Sequence, residues 1–228
     1  MTTKDAKNIV FGVGADLCGI ANVDRFMDAP QGFHPQDVLP SARSVIVFAK
    51  EFLASTLQSH STIPYTIVRN LLSSEMDYMS VAICTQLSKE GIIALPTGTI
   101  GPSEYDTRTG RHRNIISAKH SAVLAGLGRI GRNTLLITPE YGNMVWICAI
   151  VCDAQLESDP LLKPYPCSEG CRLCRDACPV GALESEEMDQ MACWQHAFGK
   201  VGEGDWRIRC FRCRAACPLC IGDKNRSL

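Results

Sequence analysis

The sequence has neither a long apolar run nor an excess of charge of one sign. Its longest apolar stretch near the middle, residues 145–151, is far shorter than the roughly 20 residues that a membrane-spanning helix needs. The first seven residues contain no apolar signal core and no twin-arginine pair, so no export signal is expected. With 23 Lys and Arg against 24 Asp and Glu, a globally basic nucleic-acid-binding protein is disfavoured. A cytoplasmic protein without membrane attachment is the expectation.

Cysteine is the residue that the sequence has in unusual abundance. Of the 13 cysteines in 228 residues, nine lie between Cys167 and Cys220. A secreted domain stapled by disulfides would normally be shorter and have an even number of cysteines. Clustered cysteines in a chain without an export signal more often bind metal. The early cysteines are expected to be small apolar core residues; they are Cys18, Cys84, Cys148 and Cys152.

Apolar periodicity predicts alternating helices and strands up to about residue 162. Helices are predicted at 3–13, 64–89 and 116–127, and strands at 16–23, 44–49, 92–95, 134–138 and 144–151. These elements suggest a mixed sheet with helices on it, and residues 97–114 are interpreted as an irregular loop. Prolines between residues 160 and 166 mark a boundary, which divides the chain into an α/β domain, 1–162, and a cysteine-rich domain, 163–228.

Two cysteine motifs share a distinctive spacing. They are Cys171-Arg-Leu-Cys174-Arg-Asp-Ala-Cys178-Pro179, preceded by Cys167, and Cys210-Phe-Arg-Cys213-Arg-Ala-Ala-Cys217-Pro218. A gap of two residues, then of three, then Cys-Pro is the ligand pattern of a cubane iron–sulfur cluster, because short gaps let thiolates and backbone amides wrap one face of the cluster. Zinc is the alternative, although four-cysteine zinc sites favour two close pairs separated by a long gap.

The spacing also assigns ligands to two [4Fe-4S] clusters. Two clusters need eight thiolates, and the last cysteine of each motif ligates the other cluster. The first set is Cys167, Cys171, Cys174 and Cys217, and the second is Cys178, Cys210 and Cys213 with one more cysteine. Cys193, between the motifs, and Cys220, just after the second motif, are the candidates, and we favour Cys193. One extra residue separates Cys167 from Cys171 compared with the common bacterial spacing.

With these motifs the chain resembles the epoxyqueuosine reductase family and its shorter iron–sulfur relatives, and reductive dehalogenases are similar on the same plan. Four stretches carry the resemblance: residues 40–49, the glycine motif Ala125-Gly-Leu-Gly-Arg-Ile-Gly-Arg-Asn-Thr-Leu-Leu-Ile137, residues 171–182, and the array of Cys193, Cys210, Cys213 and Cys217. They span about residues 9 to 220. In this resemblance an isolated cysteine precedes the second loop, which supports Cys193.

The resemblance implies an α+β protein, with a nitroreductase-like mixed α/β domain followed by a two-cluster bacterial ferredoxin-like domain. It also implies a cobalamin between the domains, whose cobalt receives electrons from the near cluster and reduces the substrate. An electron-donor protein or another low-potential reductant is the implied partner, with a small-molecule substrate or a corrinoid protein. The cofactor-binding candidates are Gly126, Gly128, Arg129, Gly131, Arg132 and Asn133.

The same glycines fit a dinucleotide-binding fingerprint. Such a fingerprint must follow a strand and open a helix, whereas here the glycines follow a predicted helix and precede a predicted strand. Close approach of the backbone to a cofactor or to the cysteine-rich domain is the interpretation that we prefer.

The chain departs from the family in two respects. The family enzyme has a helical-repeat domain after the clusters that helps to bind tRNA, whereas this sequence ends at Leu228, so tRNA is not an expected partner. The enzyme also uses an Asp shortly before the glycine motif as proton donor, and residues 108–138 contain no Asp or Glu. The candidates for a general acid are then His112, Tyr105, Asp106 and His120, with a surface role as the alternative for each His.

Three functions remain open on the sequence. The leading hypothesis is an iron–sulfur oxidoreductase whose two clusters deliver electrons to a corrinoid or a substrate in the α/β domain. The alternatives are a non-catalytic electron-transfer protein and a corrinoid-binding or corrinoid-activating protein, which the absent carboxylate favours. The presence of a whole α/β domain argues against a simple ferredoxin, which needs only about 60 residues.

Overall fold

The computed structural model describes residues 1–107, 111–163, 167–185 and 187–225, and only the backbone of Arg111 and Asn225. Its helices are α1 (Thr3–Gly12), α2 (Pro35–Val38), α3 (Ile63–Lys89), α4 (Ala118–Leu124), α5 (Leu173–Asp176), α6 (Gln190–Ala197) and α7 (Arg212–Ala215). Its strands are β1 (Leu17–Asn22), β2 (Ser44–Glu51), β3 (Ala94–Pro96), β4 (Glu104–Asp106), β5 (Arg111–Arg113), β6 (Arg129–Ile130), β7 (Leu136–Ile137), β8 (Val145–Cys152), β9 (Phe198–Lys200) and β10 (Trp206–Ile208). The predicted domain boundary adjoins residues 164–166, which lie outside the described residues.

The central sheet has the strand order β1-β2-β8-β3, and neighbouring strands are antiparallel. Val47 of β2 lies opposite Gly19 of β1 and Ala149 of β8. The predicted mixed sheet is therefore wrong in its strand directions. The reason is that every residue of β2 from Ser44 to Ala49 is buried, and a strand covered on both faces has the same continuous apolar run in a parallel or an antiparallel sheet.

Helices cover both faces of this sheet. Ile46 and Phe48 face α1 and α3, where they pack with Met76 and Ile83 in one apolar core. The alternate residues of β2 face the opposite side, where Val47 packs with Ala122 of α4 in a second core. The period-two alternation of a strand thus divides its side chains between two helical layers.

The longest helix, α3, begins and ends close to the predicted positions. Pro64 lies in its first turn, where a missing backbone N–H costs no hydrogen bond. After its end, Gly91 adopts a φ of +76°, and the backbone N–H of Ile92 donates to the carbonyl of Leu87, which closes the last turn. None of the helices within the described ranges is long and apolar enough to cross a membrane.

Residues 97–114 contain a hairpin, where the sequence analysis expected only an irregular loop. Strands β4 and β5 pair with Tyr105 opposite His112 and Glu104 opposite Arg113. The two rings of the first pair lie 5.0 Å apart, and the second pair forms a 3.3 Å ion pair. These strands are three residues long and polar, so cross-strand pairs hold them and no apolar alternation announces them.

Three further predicted elements are shorter or shifted. The predicted helix 116–127 is reduced to α4, and the predicted strands 92–95 and 134–138 are reduced to β3 and β7. Ile93, which is 53% exposed, lies outside the sheet because its backbone N–H and carbonyl bond to Asp153. Strand β7 pairs with β6 rather than with β8, and residues 139–141 form a turn closed by the pairing of Thr138 with Gly142.

The cysteine-rich part consists of short elements. The single-turn helices α5 and α7 pack against each other, and β9 pairs with β10. A small apolar core attaches this part to α3, since Tyr65 and Leu72 pack with Ile208 and Cys220. The backbone N–H of Ile208 also donates to Thr66 Oγ1 over 3.1 Å. The cysteine loops are thereby held against the α/β part of the chain.

Candidate functional site

The first predicted ligand set lines one cavity. This cavity, of about 150 Å³, is lined by Cys167, Cys171, Cys174 and Cys217 together with Arg132, Asn133, Ser168, Pro218 and Leu219. Burial, followed by the neighbouring thiols of Cys167 and Cys171, raises the pKa of Cys174. Burial raises the pKa of Cys217 in the same way, followed by Cys167 and Cys174. The four thiols therefore lie within electrostatic reach of one another.

The second predicted ligand set also comes together. Burial, and then the thiols of Cys178 and Cys210, raises the pKa of Cys193. Burial, followed by Cys193 and Cys210, raises the pKa of Cys213 to about 11. Cys178 and Cys210 lie in loops, Cys193 lies in α6 and Cys213 lies in α7. The fold thus brings together cysteines that are far apart in the sequence.

The last cysteine of each motif lies with the other motif. Helices α5 and α7 each end in a turn before a Cys-Pro pair, with the backbone N–H of Cys178 donating to Arg175 and that of Cys217 to Arg214. Cys217 lines the cavity of the first group, and Cys178 lies near Cys193 and Cys213 of the second group. The structure thus brings together the residues of each predicted set, while their binding of iron stays a prediction.

The space at the first group suits a group of several atoms better than one ion. One water molecule needs a cavity of about 10–15 Å³ on this measure, so a cavity of about 150 Å³ has room for several. Within the described ranges, no three His, Cys, Asp or Glu side chains converge tightly enough to hold a single metal ion. Four thiols around a cavity of this size are a donor set that fits an iron–sulfur cluster.

Cys220, the alternative to Cys193, lies elsewhere. It is 6% exposed and packs in the apolar core beside α3, and its backbone N–H donates to the carbonyl of Cys217. Burial raises the pKa of its thiol to about 11, and the charged groups that influence it are Arg214 and Cys217. The cysteine near it is therefore Cys217 of the first group, whereas Cys193 lies near Cys178 and Cys210 of the second group.

The four early cysteines lie in the sheet and in α3. Cys18, Cys148 and Cys152 are buried in the core between the sheet and the helices α1 and α3, with Cys84 packed against it. Burial is the largest cause that raises the pKa of the first three to about 12 and that of Cys84 to about 11. Such thiols are protonated apolar side chains at neutral pH.

Two residues of the glycine motif contact the cysteine loops directly. Arg132 donates from Nη1 to the carbonyls of Ser168 and Cys171, over 3.0 and 2.8 Å. Asn133 is buried and donates from Nδ2 to the carbonyl of Cys213 over 3.3 Å. The end of the glycine motif therefore ties one loop of each cysteine group to the α/β part.

The glycines of this motif approach other backbone segments. Gly126 has a φ of +73°, and a Cβ there would lie 2.3 Å from the carbonyl oxygen of Pro160. A Cβ on Gly128 would lie 2.4 Å from the carbonyl oxygen of Ile137, and one on Gly131 would lie 2.6 Å from the Ile137 side chain. Arg129, in β6, is exposed. These glycines are needed because the chain itself fills the space beside them.

The predicted general acids Tyr105, Asp106 and His112 all lie on the hairpin. Asp106, at the end of β4, is half-buried. The His112 ring stacks on Trp194 of α6 at 4.8 Å between ring centroids. The side chain of Gln190 accepts from the backbone N–H of His112 over 3.1 Å and donates to its carbonyl over 3.4 Å. The hairpin is therefore docked on the helix that carries Cys193.

The fourth candidate, His120, lies at the start of α4. Its Nδ1 is 2.7 Å from the hydroxyl of Ser117, and burial, followed by Lys119, lowers its pKa. Lys119 donates to the carbonyl of Thr134 over 2.7 Å, and Thr134 has a φ of +60°, which is unusual for a β-branched residue. This strained residue follows Asn133, at the contact with the second cysteine loop.

Sequence reasoning missed two residues near the cysteine groups. Gln190 docks the hairpin, and Arg214 is 5% exposed beside Cys213. Neither belongs to a motif with a recognisable spacing. The position of Arg214, directly after a predicted ligand, was the only signal, and a charged residue next to a ligand is far more often solvent-exposed.

Comparisons with known proteins agree with this geometry. No family model matches the chain. It is 31% identical over 186 residues to a tetrachloroethene reductive dehalogenase of Desulfitobacterium hafniense, covering 80% of this chain and 30% of that protein. It is 29% identical over 223 residues to an epoxyqueuosine reductase of Gloeobacter violaceus, covering 88% of this chain and 64% of that protein. The chain is a homologue of the epoxyqueuosine reductases and the reductive dehalogenases.

The solved structures show the same fold. An epoxyqueuosine reductase bound to an epoxyqueuosine-modified tRNA stem loop has a TM-score of 0.61 at 19% identity and covers 95% of this chain and 64% of its own. A catabolic reductive dehalogenase has a TM-score of 0.68 at 16% identity and covers 96% of this chain and 32% of its own. A third structure is of a reductive dehalogenase that performs B12-dependent dehalogenation. It has a TM-score of 0.59 at 17% identity and covers 78% of this chain and 24% of its own.

These comparisons confirm the mixed α/β fold and the resemblance. They do not support the expectation that tRNA is not a partner, since one similar structure holds a tRNA stem loop. The chain spans 30% of the length of the matched dehalogenase and 64% of that of the matched reductase. The activities of those proteins are therefore proposals for this chain.

Proposed function

We propose that the chain is an iron–sulfur reductase whose two cysteine groups each bind a [4Fe-4S] cluster. The observation that carries the proposal is the exchange of Cys178 and Cys217 between the two motifs, which assembles two groups of four thiols. We also propose that residues 163–228 form a two-cluster ferredoxin-like unit on an α/β domain of residues 1–162. Both groups of homologues are named as reductive enzymes, which supports a reductase.

The chain contributes the electrostatic surroundings of two redox centres. Clusters of this kind store and pass single electrons at low potential. The residues of the chain hold the thiols in place: Arg132 binds the first loop through two carbonyls, and Asn133 binds the second loop. The apolar core beside α3 keeps water from one side of the second loop. An electron-donor protein or another low-potential reductant is the partner that we propose.

A corrinoid is the second cofactor that we propose, because a similar structure is described by its B12-dependent reaction. Gly126 and Gly128 leave no free space for a corrinoid on the side where a Cβ would lie, because backbone oxygens occupy that space. We therefore derive no reaction step through it. The substrate is a small molecule or a modified tRNA, as the names of the homologues suggest.

We propose that the hairpin supplies the general acid, the group that donates a proton to the substrate during reduction. His112 is fixed by its stacking on Trp194 and by the two hydrogen bonds to Gln190. Its ring lies 5.0 Å from that of Tyr105 and stacks on Trp194 of the helix that carries Cys193. Histidine is the side chain that most often serves as a general acid in enzymes.

A pure electron-transfer function is the second candidate. It is favoured by the exposure of the hairpin, where Tyr105 is 51% exposed and His112 is also exposed to solvent. A hairpin this exposed does not form a pocket that shields a substrate and its proton donor from water. In that case the α/β part would serve as a docking domain for a partner.

Metal content decides between these proposals. The chain is purified without oxygen from cells supplied with iron and cobalamin, and iron, zinc and cobalt are counted by elemental mass spectrometry. About eight iron atoms per chain with about one cobalt support the corrinoid-containing reductase. About eight iron atoms without cobalt favour the electron-transfer function. Zinc in place of iron would overturn the proposal.

A further inference from the structure

Arg214 is a buried cation for which the described residues supply no carboxylate partner. It is 5% exposed, and among the described residues it forms no ion pair. Its Nη1 donates to the carbonyl of Asn143 and lies 3.7 Å from Met144 Sδ. Its guanidinium carbon lies 5.5 Å from the centre of the Phe52 ring. A carbonyl, a thioether and an aromatic face thus surround the positive charge.

Such surroundings leave most of the charge uncompensated. Taking an ion out of water is costly, and a single carbonyl and an aromatic face offset this cost only in part. Buried arginines are therefore normally paired with an anion. An anion that the described part of the chain offers is the proposed group of thiolates that includes Cys213, the residue directly before Arg214 on the single turn α7.

Arg212 is a natural reference for Arg214. The two arginines flank Cys213 on the single turn α7. Arg212 is exposed to solvent, whereas Arg214 is buried beside the Phe52 ring. Water screens a charge at the surface far more than one in the interior. The two side chains have the same charge, and each is one residue from Cys213 in the sequence. The buried charge of Arg214 should nevertheless act on a cluster at Cys213 much more strongly than the screened charge of Arg212.

We infer that Arg214 is the fixed counter-charge of the cluster bound by Cys178, Cys193, Cys210 and Cys213, and that it raises the reduction potential of this cluster. The inference rests on the proposed function. Reduction adds one electron, taken from a one-electron low-potential donor, and makes the cluster more negative by one unit. A buried positive charge beside the cluster stabilises the reduced form more than the oxidised form.

A purely structural role is the competing explanation. Arg214 and Asn143 are also joined by a second hydrogen bond, from Asn143 Nδ2 to the carbonyl of Arg214 over 3.3 Å. Loss of the guanidinium could therefore loosen the loop. Arg214→Lys separates the two roles, since it keeps the charge and loses the planar fork of donors.

The test is a redox titration with dithionite, followed by electron paramagnetic resonance. It compares the wild-type chain, Arg214→Gln, Arg214→Lys and the control Arg212→Gln, and iron is counted in each. The signal of the second cluster is identified as the one that Cys193→Ala removes. The titration is repeated at high salt, because a buried charge is screened less than an exposed one.

The expected result is a lower potential for the second cluster in Arg214→Gln. The shift should correspond to at least a tenfold change in the reduction equilibrium, about 59 mV for a one-electron couple, and should persist at high salt. Arg212→Gln should shift it much less, and Arg214→Lys should retain most of the wild-type potential.

Three outcomes would overturn the inference. These are an unchanged potential in Arg214→Gln with full iron content, equal shifts in Arg212→Gln and Arg214→Gln, and a shift in Arg214→Lys as large as that in Arg214→Gln. If Arg214→Gln does not fold, Arg214→Lys decides: a wild-type potential supports the inference, and a potential lower by the full shift contradicts it. A wild-type chain without iron would instead overturn the proposed function.

Discussion

The two cysteine groups differ in how the chain surrounds them. The first lines a cavity whose wall includes Arg132, an exposed side chain that reaches the carbonyls of its loop. The second lies among α6, the docked hairpin and the buried Arg214. Solvent exposure and nearby charge are two of the factors that set the potential of an iron–sulfur cluster. The same ligand spacing is thus expected to give two clusters of unequal potential.

The largest expected effect separates ligands from core cysteines. Cys178→Ala and Cys213→Ala should each reduce the iron content toward that of one cluster, because a cubane loses stability when a thiolate is missing. Iron counted per chain after anaerobic purification is the measurement. Cys148→Ala, which removes a buried thiol facing α3, is the control and should keep its iron. Loss of iron in that variant would contradict the ligand assignment.

The next comparison concerns the eighth ligand. Cys193→Ala should lose iron, because its thiol lies with those of Cys178 and Cys210. Cys220→Ala should keep its iron and lose only about 1 kcal/mol of stability from a small cavity in the core. Iron content and chemical denaturation measure the two effects. Iron loss in Cys220→Ala alone would show that Cys220 replaces Cys193.

His112→Ala tests whether the second group is the site of chemistry. Turnover should fall roughly 100-fold or more, as expected for a lost general acid, with the iron content unchanged. The assay uses dithionite as reductant with tetrachloroethene or an epoxyqueuosine-modified tRNA stem loop. His60→Ala, an exposed histidine before α3, should retain activity. Unchanged turnover in His112→Ala would remove His112 as the acid.

Gln190→Ala should have a smaller effect of the same kind. It removes the two hydrogen bonds that dock the hairpin but leaves the stacking of His112 on Trp194. A loss of several-fold in turnover is expected, because each hydrogen bond contributes about 1 kcal/mol. Hydrogen exchange of the hairpin amides should rise in this variant. A loss of activity as large as that in His112→Ala, with unchanged exchange, would contradict a positioning role.

Arg132→Gln should produce the smallest change. The exposed guanidinium of Arg132 is screened by water, so the potential of the first cluster should fall by less than that of the second cluster in Arg214→Gln. The shift should shrink further near 1 M salt, where the screening length is about 3 Å. The same redox titration measures it. A larger and salt-independent shift would reverse the contrast between the two groups.

Much of the fold was predictable because it follows apolar patterns. Strands β1 and β2 and helix α3 lie where buried runs and helical periodicity placed them. The hairpin was not predictable, since it is held by the pairs Tyr105–His112 and Glu104–Arg113 rather than by a buried face. The strand directions were also hidden, because both faces of β2 are buried.

Part of the candidate site was predictable from the sequence and part was not. The spacing of the cysteines grouped seven of the eight proposed ligands, because each ligand loop is local and the last cysteine of each motif is expected to bind the other cluster. It left Cys193 and Cys220 as alternatives for the eighth. The glycine motif indicated a close backbone approach but not what approaches, which is Pro160 and Ile137. Gln190 and Arg214 depend on tertiary contacts with no local pattern. Such residues are found only when the packed structure is known.

The most direct test of two unequal clusters is a redox titration of the wild-type chain followed by electron paramagnetic resonance. Two one-electron transitions at different potentials are expected, each from a [4Fe-4S] cluster. They should be assigned separately to the first and second cysteine groups by Cys174→Ala and Cys193→Ala. A single transition that both variants abolish together, or a chain without any iron–sulfur signal, would contradict the account.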